Sequence, residues 1–557
     1  MNSEAVVPPT TSHPSSPPHP FHHNSQHDMV QKFGGGSHMF YHDKEYEALP
    51  ATRVRDLVRP PVIRQYVEGG RIYREASPRE VNRFELFFDL LFVAIIHIQA
   101  EAAVDEPGGP AVLRFVLTFW PSWSIWEEAR KYANVSGTDD LLHRVWILVG
   151  MICITGYSIN ASAIELHPHG EEEKAMDHSA VQAAVAFWLT IKLTRVLVLW
   201  LYAWRLPDFR QAQFFSGLAV LVPMLVYFPL LFVTSRKAQI ILAILGIVVD
   251  VIRLDLIFFA IRGHVHQWKL RKEYHRTDAA DRGPAPEQFK LHRIPSLPDH
   301  FRIPAMNIEH AIDRSSAFVV IVLGELVMNL LFIGERGEIG LSPAFGRAAL
   351  CLVVAWSLNY LYIIPSDPNA NYEHALRRSF ISGILFSFLH WPLCASLTLA
   401  SAASGHMVRD NHVDVSLAWY WGCGLGFAIL FGTFIDLTHR ELLPRSASRI
   451  PRFARSVVQV LAGLALIFFP FGCENLTSLA LIGVAVAITL FLVVMHVYGS
   501  LPRKSYLLSL DNSGEGNRGS HFEPGSKEAE AENRLRRQAS KTAHVVEDRD
   551  GLDHTLG

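Results

Sequence analysis

The residues best placed to do chemistry in this chain are ionisable side chains set inside long apolar runs. Asp89 and His97 lie within RFELFFDLLFVAIIHIQAEA, with Glu85 and Glu101 toward its ends. At 100° per residue Asp89 and His97 stand roughly 80° apart and Glu101 about 40° further on, so the three share one half of a helix. Lys192 and Arg195 interrupt a later run, as do Asp250, Arg253 and Asp255. Asp250 and Arg253 are spaced i, i+3, which permits a local pair. A further set comprises Glu309, His310, Asp313 and Arg314, followed by Glu325 beyond the apolar stretch FVVIVLG. His310 and Arg314 are one turn apart on one face, so Asp89 and Glu325 become the deep acids of two separate helices. A charge at the middle of a membrane helix costs on the order of 2.5–3.5 kcal/mol even on the most lenient scale, so such groups face protein or water and mark ion or proton pathways. The competing role is a set of interhelical hydrogen bonds that only lock helices together. Glu85 and Glu101 are expected to meet the membrane boundary. Asn359, Tyr360, His390 and His496 are polar but uncharged, and are expected to hydrogen-bond within the core.

The elements that hold these residues are membrane spans. Half of the 557 residues are apolar and only 19% are charged, and the apolar ones fall into stretches long enough to cross roughly 30 Å of hydrocarbon at about 1.5 Å per residue. About twelve spans are expected, near 85–103, 111–130, 141–164, 180–202, 212–234, 238–260, 308–332, 345–364, 379–401, 415–436, 455–472 and 476–498. The fold class is therefore an all-α polytopic bundle. The second span is the weakest, interrupted by Arg114, Pro121, Glu127 and Glu128. A net charge of −2 gives no reason to expect a nucleic-acid partner. Cys153, Cys351, Cys394, Cys423 and Cys473 show neither metal spacing nor a paired framework, and read as core thiols.

Lysine and arginine set the orientation, because short basic loops stay cytoplasmic. The connection 261–307 carries nine of them, and Arg440, Arg445, Arg449, Arg452 and Arg455 cluster after the tenth span. VDEPGG and HPHGEEEKAMD, on the other side, hold a single lysine, Lys174. Both termini are thus expected in the cytoplasm, and the lipid bilayer is the first partner. Loop 261–307 is a candidate contact for anionic lipid. It also divides the bundle into halves, 81–260 and 308–498, flanked by polar tails at 1–80 and 499–557 whose compositions do not support a folded core. His13, His19, His22, His23 and His27 in the first tail have no metal-ligand spacing. Arg83-x-x-x-Phe87 opens the first half and Arg314-x-x-x-Phe318 the second, and six crossings each would make them parallel repeats. No HExxH, GxSxG or GxxxxGK[ST] occurs, so no known catalytic constellation or cofactor site is expected.

The stretches RFELFFDLLFVAII, WEEARKYANVSGTDD, EHAIDRSSAFVVIVLGE, NYLYIIPSD and FLHWP resemble the low temperature requirement A family of bacterial and fungal membrane proteins. The resemblance implies a multi-pass fold and singles out Glu85, Phe88, Asp89, His310, Arg314, Gly324 and Glu325 as motif residues. It supplies no substrate. Where bacterial members carry glutamate before the seventh-helix arginine this chain has Asp313, and SLNYLYIIPSD stands where they have WWLYFD. Arg83, Phe87 and Asp89 are also similar to the R-x-x-x-F-S-D opening of endosomal and lysosomal potassium channels, with Phe88 replacing serine. Together these readings point to a cation- or proton-linked transporter or channel using Asp89, His97, Asp250, Arg253, His310, Arg314 and Glu325. A membrane scaffold or stress sensor is the alternative.

Overall fold

A backbone inside lipid must satisfy its own N–H and C=O groups, and each apolar run does so as a helix. The computed structural model describes residues 39–41, 57–68, 71–74, 81–136, 140–166, 171–252, 301–331, 341–363, 372–442, 447–472 and 477–503, with isolated positions from 257 to 272. The expected tail histidines, most of the basic loop, Cys473, Asp255 and Arg253 lie outside the described residues. Helices occupy all twelve expected positions. In the first half these are α1 (Arg83–Val104), α2 (Gly109–Ser136), α3 (Leu141–Ser162), α4 (Glu171–Arg205), α5 (Arg210–Tyr227) and α6 (Arg236–Val251). The second half comprises α7 (Ile308–Leu331), α8 (Pro343–Ile363), α9 (Phe380–Arg409), α10 (Val415–Thr438), α11 (Arg452–Phe468) and α12 (Ser478–Ser500). Among the described residues ten helices are long and apolar enough to cross a membrane. The remaining two are α2, which carries Arg114, Glu127, Glu128, Arg130 and Lys131, and α6, with 16 described residues.

Burial shows which way each helix faces. On α1, Glu85, Phe88, Asp89, Phe92 and Ile96 are buried, whereas Phe87 and Leu90 are exposed. A soluble helix would reverse this, keeping its acids outside; here apolar side chains face the bilayer and acids face protein. Local start signals agree: the Asn82 side chain accepts from Phe84 N–H at 3.2 Å, and Asp140 caps α3 through His143 N–H at 2.9 Å.

The two halves follow one plan. In the first, α1 packs on α2 and α3, α2 on α3, α4 and α6, and each of α3 to α5 on its successor. In the second, α7 packs on α8 and α9, α8 on α9, α10 and α12, and each of α9 to α11 on its successor. The fifth helices even end alike, in Phe228-Pro229 and Phe469-Pro470, each forming a 3-10 turn. The halves meet where α1 packs against α7 and α9.

One end of the bundle carries small extended elements. Strands β1 (Met39–Tyr41), β2 (Tyr66–Glu68), β3 (Arg71–Arg74) and β4 (Ile303–Pro304) form a sheet in the order β1-β3-β2-β4, and β5 (Tyr372–Glu373) pairs with β6 (Arg440–Glu441). Residues 57–68 and 71–74, within the stretch expected to be a tail, are held against the segment before α7. Ile63 and Gln65 are buried there, the latter donating to Met306 O at 3.1 Å. The C-terminal flank returns to the same end, where Arg449 N–H donates to Leu501 O at 2.9 Å.

Candidate functional site: a buried charge knot between the halves

Arg314 enters the seam between the halves as a buried guanidinium. Its Nη2 and Nε donate to the two carboxylate oxygens of Asp89, at 2.8 and 3.2 Å, and its Nη1 donates to Glu85 Oε2 at 2.8 Å. The planar fork of an arginine suits this two-sided grip. Trp126 of α2 adds a bond from its indole N–H to Asp89 Oδ1 at 2.7 Å. The knot therefore ties α1, α2 and α7 at one point. All three charged side chains are at most 1% exposed.

Hydrogen bonding fixes the state of His310. Asn307 N–H donates to Asn134 Oδ1 at 2.8 Å, so the Asn134 Nδ2 is the amino group; it donates to Asn307 O at 2.8 Å and reaches His310 Nδ1 at 3.1 Å. An amino group can only donate, so Nδ1 holds a lone pair and the ring is neutral with its proton on Nε2. That nitrogen lies 3.0 Å from Glu85 Oε2, an electrostatic contact without hydrogen-bond alignment. With both carboxylates ionised, the four groups carry two negative charges and one positive charge.

A layer of aromatic rings lies one turn further along both leading helices. Phe318 packs on Trp126 at 4.3 Å between ring centroids, and on Phe92 and Trp123 at 5.6 Å each. Beyond the layer α1 and α7 meet in a second polar pair, His97 Nδ1 with Glu325 Oε1 at 2.6 Å. His97 and Glu325 are thus separated from Asp89 and do not join it. Their helical positions place His97 about two turns past Asp89 and Glu325 about three turns past Arg314, on the far side of the layer.

The other expected residues separate from this seam. Asp250 packs against α4 and α2, with Lys192 Nζ at 3.7 Å and a bond from Trp120 N–H at 3.1 Å. Arg195 holds Glu128 at 3.2 Å, and Glu128 also pairs with Lys131 at 2.8 Å. His390 bonds Tyr362 at 2.8 Å through one ring nitrogen and meets Phe386 O at 2.6 Å through the other, a satisfied core histidine as expected, and His496 Nε2 accepts from Arg455 at 3.0 Å. Phe88 is buried beside Gly150, and a Cβ at Gly324 would meet nothing within 4 Å. Glu85 differs from expectation. It is buried among protein side chains in the knot, where Arg314 holds its carboxylate.

Reading the sequence missed Trp126, Asn134 and Asn307, although the first two lie in the WEEARKYAN stretch. It also missed a second buried knot, in which Glu309 accepts from Arg74 of β3 at 2.8 Å and from Arg377 at 2.9 Å. Among the described residues one group has the composition of a metal site, Glu101, Asp105 and His406. Residues 80–496 match the model of the family described as bacterial low temperature requirement A protein. No curated protein matches the chain.

Proposed function

Since the chain belongs to the low temperature requirement A family and is built as a multi-pass helical membrane bundle, we propose that it is a cation- or proton-linked transporter or channel whose intramembrane acids handle the ion. The observation that supports this reading is the seam between α1 and α7. Two buried carboxylates, a guanidinium and an imidazole converge there inside a membrane bundle, and intramembrane ionisable groups of this kind mark ion or proton pathways. The same two helices carry His97 and Glu325 on the far side of the aromatic layer. Two titratable sets divided by an apolar barrier suit alternating exposure, in which the halves rock about the seam and expose one set at a time.

The basic residues favour cytoplasmic termini. Arg74, Arg302, Arg377, Arg440 and Arg449 gather at the sheet-bearing end, from which both flanks leave. In that orientation the knot lies toward the cytoplasm and the Glu101 end toward the outside, while the basic loop 261–307 faces the inner leaflet and any anionic lipid in it.

The test is flux and stability on the same purified protein in proteoliposomes. Wild type should carry a pH- or cation-dependent flux, and Asp89→Asn should remain folded yet lose it. A folded Asp89→Asn protein with unchanged pH-dependent flux overturns the role of this residue. Absence of flux from wild type favours the scaffold or sensor reading instead.

A further inference from the structure

At the end of the bundle away from the sheets, α1 and α9 finish side by side. Glu101 and Asp105, one turn apart on α1, face His406 of α9, and a donor atom from each lies within 4.8 Å of the other two. His406 Nε2 is 3.4 Å from Glu101 Oε2, too far and too poorly aligned for a hydrogen bond. Yet this nitrogen is enclosed and has no hydrogen-bond partner, although the rest of the ring is about one-third exposed. An enclosed imidazole nitrogen with no partner calls for a ligand.

The surrounding charges make the same point. Glu325 and His97 stand one turn deeper along α1 from Glu101. Among the described residues no lysine or arginine pairs with Glu101, Asp105 or Glu325; the cation-capable neighbours in contact with them are the two imidazoles. The nearby Arg114 is turned away, donating to the carbonyls of Ala102 and Ile164, and Arg347 donates to the carbonyls of Val408 and Arg409. Three carboxylates with no guanidinium or ammonium partner among the described residues make this rim attractive to cations.

We propose that Glu101, Asp105 and His406 bind a divalent transition-metal ion such as Zn²⁺ or Mn²⁺ at the rim of the bundle. One imidazole and two carboxylates are the donor set of such borderline ions, with water completing the shell. Donors about 2.0–2.2 Å from one metal stand at most roughly 4.4 Å apart, so a small rotation of the exposed Asp105 side chain closes the site. The metal would bridge α1, the leading helix of the first half, to α9, the third helix of the second. The site stands independently of whether the protein transports.

The experiment is a titration of the full-length protein in nanodiscs with Zn²⁺ alone, in competition with a chromophoric chelator. His406→Asn and Asp105→Asn are compared with wild type, so that the tail histidines, common to all three, cancel. Asp105 is exposed at the end of its helix, and its substitution leaves the packed core intact. Since loss of even an outer-shell partner weakens metal binding about 10–100-fold, each variant should lose at least tenfold in affinity at one equivalent. Superimposable isotherms for wild type and both variants overturn the site.

Discussion

At the scale of single residues, the knot makes an asymmetric prediction. Arg314 grips both Glu85 and Asp89, so Arg314→Met removes every one of those buried charge-assisted bonds and should destabilise the protein by about 3–5 kcal/mol. Asp89→Asn keeps the side-chain shape and the bond from Arg314 to Glu85 and should cost clearly less; thermal unfolding of the two purified variants in one detergent measures the difference. Equal losses would show that Asp89 ties the knot as firmly as Arg314. A second residue-scale prediction concerns His374 and His439, which meet edge to face at 4.5 Å outside the spans. Burial holds both imidazoles below their ordinary range, most strongly for His374. A depressed histidine favours the folded state only while neutral. Its contribution is complete above the unfolded value of about 6.5 and is lost as pH falls below it, by at most roughly 1.4 kcal/mol per pH unit per group. His374→Phe should flatten the fall in melting temperature between pH 7 and pH 5, and an unaltered slope would remove His374 from the account.

At the scale of elements, close helix packing is as specific as the charges. A Cβ at Gly426 of α10 would lie 2.5 Å from Gly463 O of α11, and one at Gly463 would lie 2.9 Å from Gly426 O. Backbone cannot yield as a side chain does, so Gly426→Ala should push α10 and α11 apart and cost about 1–3 kcal/mol, read from melting temperature. The aromatic layer predicts a different phenotype. On the transport reading Phe318→Ala opens the apolar barrier and should raise proton leak, with Phe318→Leu milder; unchanged leak in both would mean the rings are only filler. Most helix positions were legible in the sequence because ten of the helices are long apolar runs with few charges, a signal that needs no tertiary knowledge, whereas α2 was the weakest, interrupted by its charges and Pro121. The pairing of Asp89 with Arg314 was within reach, since both are charges that lipid excludes. The partners Trp126 and Asn307 were not, because a tryptophan inside a helix or an asparagine just before one costs little and nothing local distinguishes a ligand from a bystander. The layer that Glu325 occupies was not legible for a related reason: helical phase gives a face, but not which of two polar layers a residue joins. The short strands were hidden because two to four residues carry no usable periodicity.

At the scale of the whole molecule, the repeated order of helix neighbours and the matching Phe-Pro corners argue that six helices were doubled and then specialised, with the acids kept on α1 and the arginine on α7. The faces of the bundle can be assigned by labelling. A cysteine at the exposed His412, between α9 and α10, should react with an impermeant reagent in intact cells, and one at the exposed Arg440 only after permeabilisation. The reverse pattern would invert the proposed orientation. The knot also has a history within each synthesis of the chain. Arg314 leaves the ribosome 225 residues after Asp89, which at 5–20 residues per second is a delay of about 11–45 s. Throughout that interval Glu85 and Asp89 lack the Arg314 guanidinium that grips them in the finished bundle. A nascent first half is therefore incomplete until the seventh helix arrives, and the charge pair that joins the finished halves makes the packing of one depend on the synthesis of the other.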